Sequence, residues 1–189
     1  MSDAEPSLSE RLTAASEQPM ASASPGELQA IRRYQGLDRT YQLVNRLLRG
    51  ELAALPRTVA QTVEVRDIVA GLTRLLQRWR TSEPLRVYRG MRNRAGFPPD
   101  PPIVIRGFLS TTIHRRIALD EFTVPAGGGG AALLEIHVPV GTPAVWVPPL
   151  GDPGLAYQGE LLLPRDLGLV VGSEHEDAGI LVYDCEVQL

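Results

Sequence analysis

Apolar residues follow one spacing before Pro84 and another after it, which divides the chain into a helical part and a strand part. Upstream, they recur at steps of three and four residues, the spacing of amphipathic helices. The positions with this period are Leu28, Ile31, Leu37, Tyr41, Val44, Leu47, Leu48, Val65, Ile68, Val69, Leu72, Leu75, Leu76 and Trp79. Gly36 is expected to break the first helical stretch and Arg49-Gly50 to end it, and a further helix is predicted from about Val63 to Arg80.

Downstream of Pro84, short apolar runs bounded by Gly and Pro predict β-strands. The runs are Leu85–Arg89, Ile103–Phe108, Ala132–Val138, Ala144–Val147, Glu160–Leu163, Leu169–Val171 and Ile180–Gln188. A short helix is predicted over Ile113–Phe122. Because helices precede strands, the pattern indicates an α+β fold with a mixed or antiparallel sheet.

Residues 1–26 lack a clear period, and we interpret them as a tail before one domain over residues 27–189. Ser, Ala, Glu and Pro dominate the segment, and Ser22–Gly26 has the composition of a boundary. A disordered terminus accounts for this composition. A polar secretion leader of the type III kind accounts for it equally.

Composition narrows the class of protein. The 189 residues suit a single domain, and the net charge of −3 with a pI near 5.7 argues against a nucleic-acid partner. No apolar run approaches the length of a membrane span, and the start has neither the basic nor the apolar region of a Sec signal peptide. We therefore expect a monomer that binds neither nucleic acid nor membrane.

The cysteine and histidine positions predict no disulfide and no metal site. Cys185 is the sole cysteine, and His114, His137 and His175 share no ligand spacing. The 19 basic residues are all arginine, and lysine is absent. Codon bias explains this, and so does avoidance of ubiquitination, which requires lysine, inside a eukaryotic cell.

Arg89 is the first residue with candidate chemistry. It ends the predicted strand that begins at Leu85, and Gly90 after it would give the backbone room to turn. A guanidinium presents a rigid fork of donors that suits pyrophosphate, and it stays charged. An ordinary surface arginine is the alternative.

The second candidate is Ser110, in the segment Phe108–Thr112. Its hydroxyl could face inward and hold a neighbouring carboxylate by a hydrogen bond. The segment could equally be a capped strand edge, with Thr111 or Thr112 starting the next helix.

The third candidate is the pair Gln158 and Glu160. On a strand these two side chains share a face, and Gly159 between them leaves the opposite face open. The Gly/Pro-rich loop over residues 150–157 is suited to presenting a variable surface. A half-buried strand with an exposed Glu is the alternative.

In chain order, the three segments resemble the R-S-E mono-ADP-ribosyltransferases. That family has an aromatic-Arg-Gly strand, a Phe-x-Ser-Thr-(Ser/Thr) strand and a Glu/Gln-x-Glu strand, matched here at 88–90, 108–112 and 158–160. Upstream, the segments 34–36 and 41–49 resemble the N-terminal helices of bacterial exoenzymes that modify Rho GTPases. The resemblance covers about residues 27–189 and implies N-terminal helices packed on a two-sheet β core.

The resemblance also implies a mechanism that uses NAD and no metal. Arg89 would hold the NAD pyrophosphate with help from Arg49, and Ser110 would orient Glu160. Glu160 would bind the nicotinamide ribose and stabilise the oxocarbenium-like charge as the glycosidic bond breaks. The same resemblance places Asn45, Gly90, Thr111 and Thr112 in the NAD site, and Leu155, Tyr157 and Gln158 in acceptor recognition.

In this family, the residue at the position of Gln158 varies with the side chain that is modified. Gln at this position implies that the modified side chain is not an arginine. Members that modify arginine usually have Glu there, whereas Gln-x-Glu goes with Asn of Rho proteins, other non-arginine side chains or guanine in DNA. The acidic composition counts against DNA. Related effectors modify threonine, including that of ubiquitin, so Asn, Thr and Gln acceptors stay open. The expected partner is a host protein such as a Rho-type GTPase or ubiquitin.

Two positions depart from the Rho-modifying pattern. The segment 124–130 lacks the arginine frequent there, so either NAD affinity is lower or Arg115 or Arg116 substitutes. Leu155 stands where those enzymes have an aromatic residue, and Tyr157 lies next to Gln158 instead.

We therefore expect a secreted bacterial toxin or effector that modifies a protein in the cytoplasm of a target cell. An NAD glycohydrolase, in which water takes the ADP-ribose, is the second hypothesis. A non-catalytic module that binds a partner through the same fold is the third.

Overall fold

The structure, a computed structural model, describes residues 6–36, 38–51, 58–95, 97 and 103–188. Leu37, part of the helical pattern, lies outside the described residues. The α+β class with N-terminal helices and a mixed sheet is confirmed.

Helix α1, Leu8–Met20, occupies most of the segment interpreted as a tail. Ser7 caps it, and Leu12 on its inner face is buried. The indole Nε1 of Trp146 donates a hydrogen bond to Thr13 Oγ1 at 3.0 Å, which ties α1 to the strand part of the fold. The disordered interpretation is therefore wrong for residues 8–20, because burial of a few positions such as Leu12 and Met20 suffices to dock the helix.

Three further helices lie in the described part of the N-terminal half: α2 over Pro25–Gln35, α3 over Thr40–Leu48 and α4 over Val59–Leu76. The predicted break at Gly36 between α2 and α3 is confirmed. Helix α4 begins and ends about four residues earlier than predicted. Its start is fixed by Thr58, whose side chain accepts a hydrogen bond from a backbone N–H of the first turn.

Eight strands form one hydrogen-bonded series. They are β1 Leu85–Met91, β2 Ile103–Ile105, β3 Leu109–Thr112, β4 Ala132–Val138, β5 Val145–Trp146, β6 Glu160–Leu163, β7 Leu167–Asp177 and β8 Ile180–Gln188. The order is β2-β7-β8-β4-β1-β3-β6-β5, with β4 and β8 parallel and the other neighbours antiparallel. Helix α5, Arg115–Phe122, follows β3, and a 3-10 helix, Pro153–Gln158, precedes β6.

The series falls into a five-strand group and a three-strand group that meet between β1 and β3. A single registered pair, Tyr88 opposite Thr112, joins them. The two sheets expected from the resemblance are thus linked at one point. Because neighbouring β1 and β3 residues do not continue the ladder, the strands diverge there and leave space between them.

Two predicted strands differ most from the observed ones, while β1 extends beyond its predicted end to Met91 and β5 is confined to Val145–Trp146. The run Ile103–Phe108 is not one strand: β2 ends at Ile105, and the chain crosses to the other group before β3. Gly107 in this crossing lies so close to the side chain of Asn45 that a Cβ would contact its Oδ1 at 2.6 Å. Strand β7 is longer than predicted, because its outer half is polar and exposed and shows no apolar pattern.

None of the helices in the described ranges is both long and apolar enough to cross a lipid bilayer.

Candidate active site

A cavity of about 700 Å³ lies where the two strand groups meet. Helices α2 and α3 form one wall, β1 and β3 form the floor, and the end of α5 lies at the opposite side. All four residues predicted to carry the catalysis line it: Arg89, Ser110, Gln158 and Glu160. Residues from three separate sequence segments are therefore brought to one space by the sheet topology.

Arg89 lies on β1 and faces the cavity half-buried. Its Nη1 donates a hydrogen bond to the backbone carbonyl of Ser110 at 2.7 Å, which spans the gap between β1 and β3. Burial lowers the pKa of Arg89, and the nearby charge of Glu160 opposes that shift. Among the described residues no carboxylate pairs with Arg89 within 4 Å, so its charge is available to an anion.

Tyr34 of α2 contacts the Ser110 side chain. Ser110 Oγ lies 3.5 Å from the Tyr34 hydroxyl, and Asn45 Nδ2 donates to that hydroxyl at 3.1 Å. Asn45 Oδ1 also accepts from the Phe108 backbone N–H at 2.9 Å. Burial raises the pKa of Tyr34 to about 12, so its hydroxyl stays protonated. Asn45 lines the cavity as predicted, but these contacts engage its amide in fixing α3 to β3.

Glu160 begins β6 and is only 9% exposed. Gln35 Nε2 donates to Glu160 Oε2 at 3.2 Å. Burial raises the pKa of Glu160, while hydrogen bonds from Ser110 and Gln35 and the charge of Arg89 lower it. The carboxylate is therefore held near the charge of Arg89, with Gln35 Nε2 as its hydrogen-bond donor. We call Tyr34, Gln35, Arg89, Ser110 and Glu160 the inner cluster.

Thr111 and Thr112 line the cavity, but their hydroxyls bond to the backbone that precedes or forms β6. Thr111 Oγ1 donates to the Leu161 carbonyl at 2.7 Å, and Thr112 Oγ1 donates to the Gln158 carbonyl. These bonds position β6 against β3 and thereby fix the position of Glu160 in the cavity.

Gln158 is not on a strand, contrary to the sequence interpretation. It ends the 3-10 helix, and Gly159 turns the chain with φ +54 before β6 begins. The shared direction of Gln158 and Glu160 toward the cavity therefore comes from this turn and not from strand alternation. A Cβ on Gly159 would also lie 2.8 Å from the His114 ring, so glycine is required for space as well.

Gln158 and its neighbour Tyr157 share one partner on α5. Gln158 Nε2 donates to Glu121 Oε2 at 3.0 Å, and the Tyr157 hydroxyl donates to the same oxygen at 3.2 Å. Tyr157 is 56% exposed, and Leu155 is partly exposed on the same 3-10 helix. We call Glu121, Tyr157 and Gln158 the outer cluster.

Gly90 lines the cavity within β1, where the strand continues to Met91. The expectation that it allows a turn is therefore wrong. Its lack of a side chain lets α5 pack directly on β1, since a Cβ would collide with the carbonyl oxygen of Ala118.

Two arginines were expected to substitute for the arginine that the segment 124–130 lacks, but both lie outside the cavity lining. Arg115 pairs with Glu135 at 2.7 Å and with Asp177 at 2.6 Å, and Arg116 pairs with Asp120. Neither lines the cavity, so the substitution hypothesis is wrong for both.

Other arginines line the cavity in their place. Arg49, predicted to assist Arg89, lines it and pairs with Glu51 at 2.6 Å, while Arg46 lines it beside Arg49. Arg92 lines it after β1 and donates to the Glu121 carbonyl at 3.2 Å. Sequence reasoning missed Arg46 and Arg92, although Arg92 follows Arg89 by three residues.

Gln35 and Glu121 were also missed as site residues, because nothing local distinguishes them from other polar helix positions. Across the described residues, no group of His, Cys, Asp and Glu could hold a metal ion.

The helical wall, the divided sheet and the cavity at its junction define the fold of the bacterial ADP-ribosyltransferase toxins. An ADP-ribosyltransferase of the C3 type from Clostridium botulinum has a TM-score of 0.70 to this chain at 16% identity, over 99% of this chain and 98% of that one. Plx2a, an ADP-ribosyltransferase toxin from Paenibacillus larvae, has a TM-score of 0.71 at 18% identity, over 95% and 94%. No family model and no curated protein matches the sequence.

A third structure was determined with a dinucleotide. The ADP-ribosylating toxin BECa of C. perfringens with NADH has a TM-score of 0.72 at 16% identity, over 95% of this chain and 47% of that one. The resemblance drawn from the three motifs is thus confirmed at the level of the fold.

Proposed function

We propose that this protein is a mono-ADP-ribosyltransferase that cleaves NAD and transfers ADP-ribose to a neutral side chain of a target protein. The observation that carries the proposal is the charge distribution of the cavity. Its described lining includes four arginines and one carboxylate, in a chain whose net charge is −3. The arginines are Arg46, Arg49, Arg89 and Arg92, and the carboxylate is Glu160.

This arrangement suits a ligand with a central anionic group and one end at which positive charge develops. The guanidinium of Arg89 would bind the NAD pyrophosphate, with Arg49 and Arg92 on the same cavity surface. Arg46 and Arg49 share Glu51, which reduces their combined charge without removing it.

Glu160 would act at the other end of NAD. As the bond between nicotinamide and ribose breaks, positive charge develops on the ribose, and a preorganised carboxylate stabilises it. The hydrogen bond from Gln35 fixes the Glu160 carboxylate before NAD binds. Because the Glu160 carboxyl group is buried and held by Gln35, little reorganisation is needed as the charge forms.

The outer cluster would meet the target protein. Gln158 is neutral, and the exposed side chains of Tyr157 and Leu155 project from the 3-10 helix beside it. This composition supports Asn, Thr or Gln as the modified residue, in a target such as a Rho-type GTPase or ubiquitin. As part of the same proposal, the protein would be secreted and would act in the cytoplasm of a target cell.

Transfer of label from NAD tests the proposal. Purified protein and Glu160→Gln are incubated with radiolabelled NAD and a eukaryotic cell lysate, and labelled proteins are resolved by gel and mass spectrometry. We expect a discrete labelled protein whose labelling falls by about 100- to 1,000-fold in Glu160→Gln, since loss of one preorganised electrostatic group has that effect. Glu174→Gln, on the exposed part of β7, is the matched control and should label normally.

Equal labelling by the wild type and Glu160→Gln would contradict the mechanism. Steady nicotinamide release without label would favour the glycohydrolase, and neither signal would favour a binding module.

A further inference from the structure

The carboxylate of Glu121 has no role in the mechanism so far, although it contacts two of the three residues predicted for acceptor recognition, Tyr157 and Gln158. It lies in the last turn of α5, half-buried, and receives the hydrogen bonds of Gln158 at 3.0 Å and Tyr157 at 3.2 Å. Both donors contact the same oxygen, Oε2. Among the described contacts the other oxygen, Oε1, has no hydrogen-bond donor and keeps its full capacity to accept one.

The position of Glu121 is fixed from the backbone as well. Its carbonyl oxygen accepts a hydrogen bond from Arg92 Nη2 at 3.2 Å, and the next residue, Phe122, lines the cavity. Arg92 and Gln158 also line the cavity, whereas Glu121 is not among the described residues that line it. The carboxylate therefore lies next to the cavity, bonded to Gln158 of its lining and to Tyr157 of the exposed 3-10 helix.

Transfer of ADP-ribose to a neutral acceptor side chain requires a group that takes up a proton. A neutral acceptor such as a Thr hydroxyl or an Asn amide must lose one proton when it attacks the ribose C1′. Gln158 cannot take that proton, because an amide is not a base at neutral pH. Glu160 is committed to the ribose in the proposed mechanism, and a second carboxylate is needed for this task.

We infer that Glu121 is the general base for the acceptor side chain, an inference that rests on the proposed function. The acceptor O–H or N–H bond breaks and its proton passes to Glu121 Oε1. The acceptor atom forms a bond with the ribose C1′, the bond from C1′ to the nicotinamide nitrogen breaks, and neutral nicotinamide leaves. The hydrogen bonds from Tyr157 and Gln158 hold the carboxylate in place through Oε2.

The test compares Glu121→Gln with Asp120→Asn, its neighbour on the same helix. Glu121→Gln keeps the shape and one carbonyl oxygen for the Tyr157 and Gln158 contacts, but it cannot take a proton. Asp120→Asn removes the same charge from an exposed residue that pairs only with Arg116 in the described contacts. For each protein, labelling of a eukaryotic lysate from radiolabelled NAD and nicotinamide release without lysate are measured together.

We expect the ratio of transfer to nicotinamide release to fall by about 100-fold or more in Glu121→Gln, the usual size of a general-base contribution. The ratio should stay within about threefold of the wild type in Asp120→Asn, as for exposed charges in general. Thermal unfolding of both variants serves as the measure of folding.

A ratio in Glu121→Gln close to that of the wild type would overturn the inference while leaving the proposed function intact. Equal loss of transfer and nicotinamide release would also overturn it, since Glu121 would then support the NAD site. Absence of both signals in the wild type would instead remove the proposed function, and this inference with it.

Discussion

The inner cluster lines the cavity, whereas the outer cluster reaches it through Gln158, and the two clusters are held in different ways. In the inner cluster, buried and half-buried side chains from α2, β1, β3 and β6 bond to one another or to backbone across the fold. In the outer cluster, two partly exposed residues of the 3-10 helix depend on one carboxylate of α5. The difference fits the two proposed tasks, since NAD is always the same molecule, whereas a target surface must be accommodated.

The clusters are nevertheless connected by one side chain. Gln35 donates to Glu160 through Nε2, and its Oε1 accepts from the backbone N–H of Asp152 at 2.8 Å. Asp152 is the cap of the 3-10 helix that carries Gln158. One amide therefore positions both the proposed catalytic carboxylate and the start of the acceptor segment.

Gly90→Ala should disrupt both clusters at once and has the largest expected effect on stability. The new Cβ would meet backbone of α5, which cannot move aside as a side chain can. Overpacking of this kind costs about 1–3 kcal/mol in the free energy of unfolding. Urea denaturation measures it, and Gly128→Ala, where a Cβ meets nothing within 4 Å, is the control.

Equal stability of Gly90→Ala and Gly128→Ala would show that α5 does not pack on β1 as described.

Gln35→Leu tests the connection between the clusters and should have a smaller effect. Loss of its hydrogen bond to the Glu160 carboxylate should slow nicotinamide release by about 10- to 100-fold, since hydrogen bonds to charged groups contribute about 1.5–3 kcal/mol. The same bond lowers the pKa of Glu160, so that pKa rises further in the variant. The active form is the carboxylate, and the acid limb of the pH–rate profile should therefore move to higher pH.

Initial rates of nicotinamide release across a pH series give both the decrease in rate and the position of the acid limb. Gln77→Leu, a substitution at an exposed position, is the control. An unmoved acid limb in Gln35→Leu would mean that Gln35 does not act on Glu160.

Local sequence pattern predicted part of the sheet with its bounds, including the strand that carries Glu160. Strands β4, β6 and β8 have the predicted bounds, because Gly or Pro limits each of them at one end or both. The association of Arg89, Ser110 and Glu160 came from the order of three motifs and not from any single one. The structure places them around one cavity.

The outer cluster and the supporting contacts could not be predicted in this way. The bonds from Gln35 to Glu160 and from Gln158 to Glu121 join residues 125 and 37 positions apart, and no periodicity specifies such contacts. The strand assigned to Gln158 was wrong because a Gly in a left-handed turn and a Gly in a strand are identical in sequence. For α1, the capping box of Ser7 and Glu10 was a usable signal.

The central claim is that Arg89 binds NAD while Glu160 acts on the bond that breaks. Calorimetric titration with NAD tests it most directly, because it measures the affinity for NAD. Two proteins are compared: Glu160→Gln, which does not consume NAD, and the double variant that also carries Arg89→Lys. We predict that Glu160→Gln binds NAD and that the added Arg89→Lys weakens binding by about 10- to 100-fold, the equivalent of charge-assisted hydrogen bonds. Equal affinities in the two proteins, or no binding to either, would contradict the account.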